Sequence, residues 1–332
     1  MQAAPFFFML DYKEIIRECL FKDGDFTAPE PVITIKGHII GVPQNFITIN
    51  GLPKSRKTTF ANYFIASGIT GRSFFDIQVN IQLDEKIILF DTEQSIFDFS
   101  RQIKTLKNAI QSDNLPDNFS AYLFRKYEPK DILNTMYLII KEQKPKLIII
   151  DNLTELVINP NDMAEAKAVI QFLKKITAEF NLTCICLLHL NKNNMLSIGN
   201  LGSMADRGAQ SVLKVTHDKD SGASTLEPVF LRSSNHFEPI SINYNTDLKK
   251  YEQTTPQNTQ PRKKFVLASL SDSDHINRIN VIYLNAEQFT YAEIIEEIKR
   301  LYGVGTNIAK QQILPYLIGN KFLKTNKGIY TK

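Results

Sequence analysis

Phe46-Ile47-Thr48-Ile49-Asn50-Gly51-Leu52-Pro53-Lys54-Ser55-Arg56-Lys57-Thr58-Thr59 is an apolar run that turns through a short loop into a helical pattern. Gly51, Lys57 and Thr58 stand at the spacing of a phosphate-binding loop, G-x-x-x-x-G-K-[ST]. In such a loop backbone N–H groups wrap a phosphate, the lysine neutralises its oxygens and the hydroxyl ligates Mg²⁺. Pro53, Lys54, Ser55 and Arg56 form the loop on this reading, and Thr59 follows its hydroxyl. Arg56 replaces the second glycine, whose missing Cβ normally lets backbone approach phosphate, so its side chain must turn outward from a compatible φ. Without a ligand, the same residues read as a lysine-rich turn between a strand and a helix.

Working outward, the spacing predicts short strands over 32–35 and 38–42 ahead of the loop, and a helix over 57–67 after it. That helix puts Lys57 and Thr58 at its N-terminus, where the dipole favours phosphate. Lys86 to Glu93 is a second buried-strand run ending in acids. Helix 95–110, strand 121–127 and helix 129–144 follow, and then the most apolar strand, Leu147-Ile148-Ile149-Ile150-Asp151. Four aliphatics closing on an aspartate form a Walker B pattern, in which the acid holds Mg²⁺ through water; a buried strand ending at a helix cap has the same pattern. A long helix runs from Pro160 to Phe180, and a fifth strand, 183–190, leads into His189-Leu190-Asn191-Lys192.

Strands alternating with helices of this length imply a parallel sheet covered on both faces, with ligands beyond the carboxyl ends of the strands. Lys57, Glu93, Asp151 and His189 would all fall at that edge. Residues 193–210 show no clear period and read as a mobile loop; 211–218, 225–232 and 240–244 alternate as antiparallel strands.

The 332 residues, 43% of them hydrophobic, suffice for a large core. The run Phe6-Phe7-Phe8-Met9-Leu10 is far shorter than the ~20 apolar residues of a spanning helix, and it lacks the marks of a signal peptide. Cys19, Cys184 and Cys186 make neither a disulfide framework nor a metal spacing, so a cytoplasmic protein without membrane contact is expected. Net charge is +4, but residues 261–332 carry eleven bases against six acids, and no acid occurs from Gly303 onward. A nucleic-acid-facing module has this asymmetry, and so does a solvated lysine face.

The polar tract Gln253-Thr254-Thr255-Pro256-Gln257-Asn258-Thr259-Gln260-Pro261 reads as a linker. The expected organisation is an N-terminal helical arm over 1–30, with a helix from Tyr12 to Phe21, an α/β domain over 31–250, a linker over 251–264 and a small domain over 265–332. In the last, 265–284 is weakly patterned, Thr290 and Glu293 make a capping box, and Gly303-Val304-Gly305-Thr306 turns into a second helix. Pro315 predicts a kink or break there. A basic hairpin over 322–330 completes a winged-helix pattern.

Gly51 to Thr59, Phe90 to Glu93, Leu147 to Asp151 and His189 to Lys192 together resemble the RecA-like ATPases, in particular the hexameric replicative-helicase-like ATPases of plasmids and bacterial mobile elements. The resemblance covers about residues 30–250. It implies ATP and Mg²⁺ as ligands, with Thr58 and Asp151 at the metal, Lys57 on the phosphates and Glu93 as general base. His189 or Asn191 would sense the γ-phosphate, and 193–210 with Lys192 would touch DNA. Arg232 is the candidate finger toward a neighbouring subunit's γ-phosphate, though Ser233 and Ser234 depart from the usual Lys-x-Arg type pair. Glu93 also reads as a helix cap, His189 as a structural hydrogen-bonder and Arg232 as a surface arginine.

The implied partners are DNA, a homo-oligomer with a hexameric ring as the family's assembly, and other mobile-element replication or mobilisation proteins. The C-terminal module resembles winged-helix domains generally, some of which bind protein. If it binds DNA, Thr306 to Lys310 would enter the major groove while Lys324 and Lys327 meet phosphates. Two other readings are open: a non-hydrolysing nucleotide-gated DNA-binding regulator, suggested by Arg56, and an interaction scaffold using the winged helix.

Overall fold

A computed structural model of the chain describes residues 12–20, 27–191, 195–254, 270–284, 286–302, 304–326 and 328–332. They divide between two compact units, Met1–Pro256 and Gln257–Lys332. The first begins with α1 (Tyr12–Cys19). The expected strands before the loop, β1 (Ile33–Ile35) and β2 (His38–Gly41), do not join the main sheet; with β4 (Ile77–Val79) they form an antiparallel sheet in the order β2-β1-β4.

The main sheet has nine strands. In chain order they are β3 (Phe46–Gly51), β5 (Ile87–Asp91), β6 (Phe119–Leu123), β7 (Leu147–Asp151), β8 (Thr183–His189), β9 (Ser211–His217), β10 (Ser224–Leu231), β11 (Ile240–Asn245) and β12 (Lys250–Thr254). Across the sheet they lie β12-β11-β10-β9-β3-β8-β7-β5-β6. From β9 to β6 every neighbouring pair is parallel, and β10 to β12 continue antiparallel. The sequence reading of an α/β fold with a mostly parallel sheet describes this architecture.

Alternation along the strands builds two cores, because successive side chains leave a strand on opposite faces. Ile47, Ile49, Leu89, Ile149 and Leu187 join one face with Phe60 and Phe64 of α2 (Lys57–Thr70) and Phe99 and Leu106 of α3 (Ile96–Ile110). Ile88, Phe90, Ile148, Ile150 and Cys186 join the other with Met136 of α4 (Pro129–Gln143), Leu173 of α5 (Met163–Glu179) and Leu201 of α6 (Gly199–Gly208). Strands buried on both faces read as unbroken aliphatic runs, which is why they stand out in the sequence. Cys184 and Cys186 are buried free thiols with sulfurs 3.5 Å apart.

α6 corrects the expectation of a mobile loop over 193–210. Its glycines hide the helical period, but Leu201 and Ala205 are buried against α5. Gly202 is required by space, since a Cβ there would lie 2.6 Å from the Ser197 side chain. The expected linker is also shorter at its start: residues 251–254 belong to β12, where Tyr251 pairs with Tyr244. Strand β6 begins and ends earlier than 121–127.

In the second unit, α7 (Asp272–Ile282) occupies a stretch without clear pattern and is opened by a capping box between Ser271 and Asp274. Then come β13 (Phe289–Thr290), α8 (Tyr291–Tyr302), α9 (Thr306–Ile308), α10 (Leu314–Gly319), β14 (Lys324–Asn326) and β15 (Ile329–Thr331). The three strands form an antiparallel sheet in the order β13-β15-β14. Thr290 and Glu293 make the expected box: the Thr290 N–H donates to Glu293 Oε2 at 2.8 Å. Pro315 does not end its helix: the backbone stays helical from Thr306 to Gly319, and the expected irregularity takes the form of a π-helical turn over Ala309–Ile313 just ahead of the proline, whose missing N–H removes a regular α-helical bond there. Ile279, Ile294, Ile298, Ile313 and Leu317 form this unit's own core.

Candidate functional site

Parallel register sets the site. Gly51 pairs with His189 across β3 and β8, and Asp91 with Asp151 across β5 and β7, so four strand ends finish at one edge. A cleft of about 390 Å³ opens there, lined by Lys54, Ser55, Arg56, Lys57, Thr58, Glu93, Gln94, Asp151 and His189. Gly51 and Thr59 flank the loop without lining the cleft, and Pro53 is exposed on its outer side.

The loop needs two left-handed residues, Lys54 at φ 65° and Arg56 at φ 74°. Arg56 accepts a conformation that favours glycine, and its guanidinium leaves the loop to lie over the Tyr251 ring, 5.5 Å from the centroid. The outward turn inferred from sequence therefore has a particular destination. α2 begins at Lys57 and Thr58, both of which line the cleft, and the N-terminus of a helix is an arrangement that suits anions.

Lys57 is buried, and its ammonium donates to Gly51 O at 3.0 Å and Leu52 O at 3.2 Å and lies 3.1 Å from His189 Nδ1. Burial pushes its pKa down to about 8, against the attraction of Asp151 and Glu93. The lysine ammonium can only donate, so Nδ1 of His189 is the accepting nitrogen and Nε2 carries the proton toward Glu93 Oε2, 3.5 Å away. Glu93 is held below the usual carboxylate range first by that contact with His189, against partial burial, with Asn152 and Lys57 adding to the pull.

Thr58 Oγ1 donates to Asp151 Oδ2 at 2.6 Å. Burial raises the Asp151 carboxyl to about 6, partly countered by the Thr58 hydrogen bond. Among the described residues no cluster of three His, Cys, Asp or Glu side chains could hold a metal alone. One hydroxyl and one carboxylate side by side suit Mg²⁺ that arrives with phosphates and keeps waters, so this donor set fits the ion.

Asp91 explains how Glu93 is presented. It is fully buried, with its pKa raised by burial, and accepts the N–H groups of Glu93 at 3.1 Å and Gln94 at 2.7 Å, plus the Gln94 side chain at 2.5 Å. That turn carries Glu93 out of the sheet edge. Neither Asp91 nor Glu93 caps the next helix, because Ser95 does so by accepting the Asp98 N–H at 3.1 Å.

Other candidates lie apart. Asn191 is exposed just beyond β8 and does not line the cleft. Arg232 follows β10, which runs antiparallel to β9, so it sits exposed at the opposite end of the strands. Lys192 and Lys327 lie outside the described residues. In the second unit Thr306, Lys310 and Lys324 are exposed, and the Lys310 ammonium lies over the Tyr291 ring at 5.6 Å.

Sequence reasoning missed Gln94, Asn152 and Asp206. Gln94 and Asn152 directly follow runs already singled out, so a wider window would have found them. Asp206 has no such signal. It accepts from Thr48 Oγ1 at 3.0 Å, Asn50 Nδ2 at 2.8 Å and Ser197 Oγ at 2.6 Å, tying α6 to the strand that carries the loop.

Comparison with known proteins gives the family. No curated protein matches the chain. Among solved structures it is similar to a KaiC-like protein from the hyperthermophilic archaeon Pyrococcus horikoshii OT3, at 15% identity, covering 64% of this chain and 90% of that one with a TM-score of 0.46. It is also similar to the RadB recombinase, at 13% identity, covering 64% and 92% with a TM-score of 0.45. The family model described as an AAA domain matches residues 16–195, more than half of the sequence, and the chain belongs to that family.

Proposed function

We propose that the protein is an ATP-binding, Mg²⁺-dependent ATPase of RecA-like type that works on DNA as a homo-oligomer, in the manner of a helicase, a translocase or an accessory ATPase of mobile-element mobilisation. The observation that carries this reading is the convergence of Lys57, the Thr58–Asp151 pair and the His189–Glu93 pair on one cleft at a helix N-terminus.

Lys57 and the loop N–H groups bind the β- and γ-phosphates, and Thr58 and Asp151 would hold Mg²⁺, which would supply positive charge to the phosphate oxygens. Glu93 takes a proton from the attacking water as the water oxygen bonds to the γ-phosphorus and the bond to the ADP oxygen breaks. Because its pKa is lowered, Glu93 is ionised at neutral pH and ready to accept that proton. His189 touches both Lys57 and Glu93, so a phosphate that draws the lysine away alters the partner holding the base; this is a sensor's position. Arg232 is remote from its own cleft and acts, on this reading, on a neighbour's in a ring such as a hexamer. The C-terminal unit is read as a winged helix engaging DNA through Thr306, Lys310 and Lys324, in a cytoplasmic protein that works with other replication or mobilisation proteins. Among the described residues no helix is long and apolar enough to cross a membrane.

The test is steady-state ATP hydrolysis by wild type, Lys57→Ala and Glu93→Gln, with and without single-stranded and duplex DNA. Turnover stimulated by DNA and abolished by both substitutions is the expected result. Nucleotide binding without turnover in wild type would replace the motor with a nucleotide-gated DNA-binding regulator, and the strained Arg56 at φ 74° is the feature that favours that second reading. Loss of salt-dependent DNA binding would point instead to a protein scaffold.

A further inference from the structure

The face of the sheet covered by α2 and α3 is packed with phenylalanine, isoleucine and leucine, yet Asn62 of α2 and Gln102 of α3 are buried there. Buried amides persist in a core when their hydrogen bonds are made. These two belong to a chain of bonds whose direction is set at one end. The Gln102 backbone carbonyl can only accept, so Asn62 Nδ2 donates to it at 3.3 Å and Asn62 Oδ1 is left to accept from Gln102 Nε2 at 3.1 Å. Gln102 Oε1 then accepts from Gln94 Nε2 at 2.5 Å, and the second hydrogen of that amide goes to Asp91 Oδ2, also at 2.5 Å. Turning the Gln94 amide over would set oxygen against oxygen at both Asp91 and Gln102.

Both hydrogens of the Gln94 amide are thereby committed. Its remaining polar side-chain atom, Oε1, takes no hydrogen bond from the described residues, and Gln94 lines the cleft. Glu93, one residue earlier, is in a like position. Its Oε2 faces His189 Nε2 and Asn152 Nδ2, each at 3.5 Å, while its Oε1 takes no hydrogen bond from the described residues. Two successive residues at the cleft edge therefore offer one acceptor oxygen each. A water that gives one hydrogen to each of two acceptors turns its lone pairs away from both, which is the orientation an attacking nucleophile needs.

We propose that Gln94 is a catalytic residue of the hydrolysis, its Oε1 holding one hydrogen of the attacking water while Glu93 holds the other, and that Gln102 and Asn62 are positioning residues that act through it. The proposal rests on the ATPase reading of the cleft. In the step, the water oxygen bonds to the γ-phosphorus and the bond to the ADP oxygen breaks. Glu93 takes one proton, and the O–H held by Gln94 passes intact into the released phosphate. Gln94 exchanges no proton, so it acts by orientation alone.

The test is a double-mutant cycle on the full chain, with kcat from steady-state hydrolysis and ATP affinity from calorimetric titration, both with Mg²⁺. Methionine is close to glutamine in shape and removes the amide. Gln94→Met should lower kcat by about a hundredfold, the usual loss when a reacting group is misplaced, with ATP affinity held. Gln102→Met should lower kcat by about tenfold, the worth of one hydrogen bond, in the wild-type background and not at all in the Gln94→Met background. A merely structural Gln102 would cost the same in both backgrounds, and that additivity would overturn the positioning role. Full kcat in Gln94→Met, or a loss of kcat matched by a loss of ATP affinity, would overturn the catalytic role; turnover abolished by Glu93→Gln would still leave the ATPase reading standing. Should Gln94→Met fail to fold, Gln102→Met alone decides: a lower kcat with ATP affinity held supports the proposal, and full kcat overturns it. If wild type hydrolyses no ATP, the ATPase reading itself falls and the proposal with it, an outcome seen before any variant is made.

Discussion

Gly51→Ala probes the loop most directly, and its cost follows from two distances. Gly51 ends β3 with φ outside the left-handed region, so an alanine backbone is unstrained there and only space opposes it. A Cβ would lie 2.4 Å from Ser55 Oγ and 2.7 Å from Val215 O. The Ser55 hydroxyl is buried without a partner and can rotate away. The Val215 carbonyl cannot, because β9 is registered against Gly51 in the ladder. Ordinary contact therefore requires the end of β3 to move by roughly 0.7 Å. The Gly51 carbonyl also accepts from Leu190 N at 3.1 Å and Lys57 Nζ at 3.0 Å, so the movement strains both. Overpacking of this kind costs roughly 2–3 kcal/mol, which lowers the melting temperature of a unit this size by roughly 5–10 °C. Gly37→Ala is the control: φ is +77° with nothing within 4 Å of a Cβ, so only backbone strain applies. That strain is worth about 1 kcal/mol, roughly 2–4 °C. Thermal unfolding by circular dichroism, paired with ATP titration, decides. Loss of nucleotide binding with the larger melting shift is expected for Gly51→Ala; a shift no larger than that of Gly37→Ala would refute the steric argument.

Three further outcomes follow from the same structure. On the proposed function, ATP capture by the free protein needs Asp151 ionised and Lys57 protonated, with pKa values of about 6 and about 8. kcat/KM should therefore rise as pH climbs through the first and fall through the second, and a profile with a single limb would contradict the assignment. His275 is fully buried between Tyr302, Tyr316 and Phe322, and burial lowers its pKa from 6.5. A base with a depressed folded pKa is more readily protonated when unfolded, so its stabilisation holds above pH 6.5 and is lost as pH falls below it. Hydrogen exchange of α7 and α8 should accelerate from pH 7 to pH 5 after correction for intrinsic rates, and His275→Phe should remove the acceleration. Asp206→Ala removes the acceptor for three side chains and should cost roughly 3 kcal/mol, with faster exchange in α6 as the readout and unchanged exchange as the refuting result.

How far the sequence carried the reading depends on the kind of surface each element meets. β5, β7 and β8 are covered on both faces, and their aliphatic runs leave no competing reading. α6 and α7 were invisible for opposite reasons. In α6 glycines replace the residues that mark a helix, while a few buried side chains and Asp206 hold it in place. In α7 a histidine fills a core position, so the apolar period is broken where the helix is most buried. β12 is polar along its length and reads as linker, since its burial comes from the neighbouring hairpin strand and from α2. The same limit holds in the site. Lys57, Thr58, Glu93, Asp151 and His189 were legible because each ends or begins a recognisable element. The partner of Arg56 was not, because Tyr251 lies nearly two hundred residues away and reaches the loop only through the antiparallel end of the sheet.

The electrostatics of the cleft join stability to function. Lys57 is moved from 10.5 to about 8 and Asp151 from 3.8 to about 6, both principally by burial and both toward neutrality. Each shift corresponds to roughly 3 kcal/mol of charge held under unfavourable solvation. The protein thus carries two strained charges in its core edge; Asp151 and Glu93 offset part of the strain on Lys57, while at Asp151 the Thr58 hydrogen bond and Lys57 offset part of it and Asp91 and Glu93 add to it. On the proposed function a triphosphate would complement the lysine and Mg²⁺ would complement the aspartate, so binding would restore to both groups what burial removed. The loop carries backbone strain as well, at the left-handed Lys54 and Arg56. On that reading, ligand binding should also stabilise the fold, as any ligand that binds only the native state does. Gly51 O, Leu52 O and His189 keep the buried ammonium bonded, and on the proposed function a phosphate would take their place.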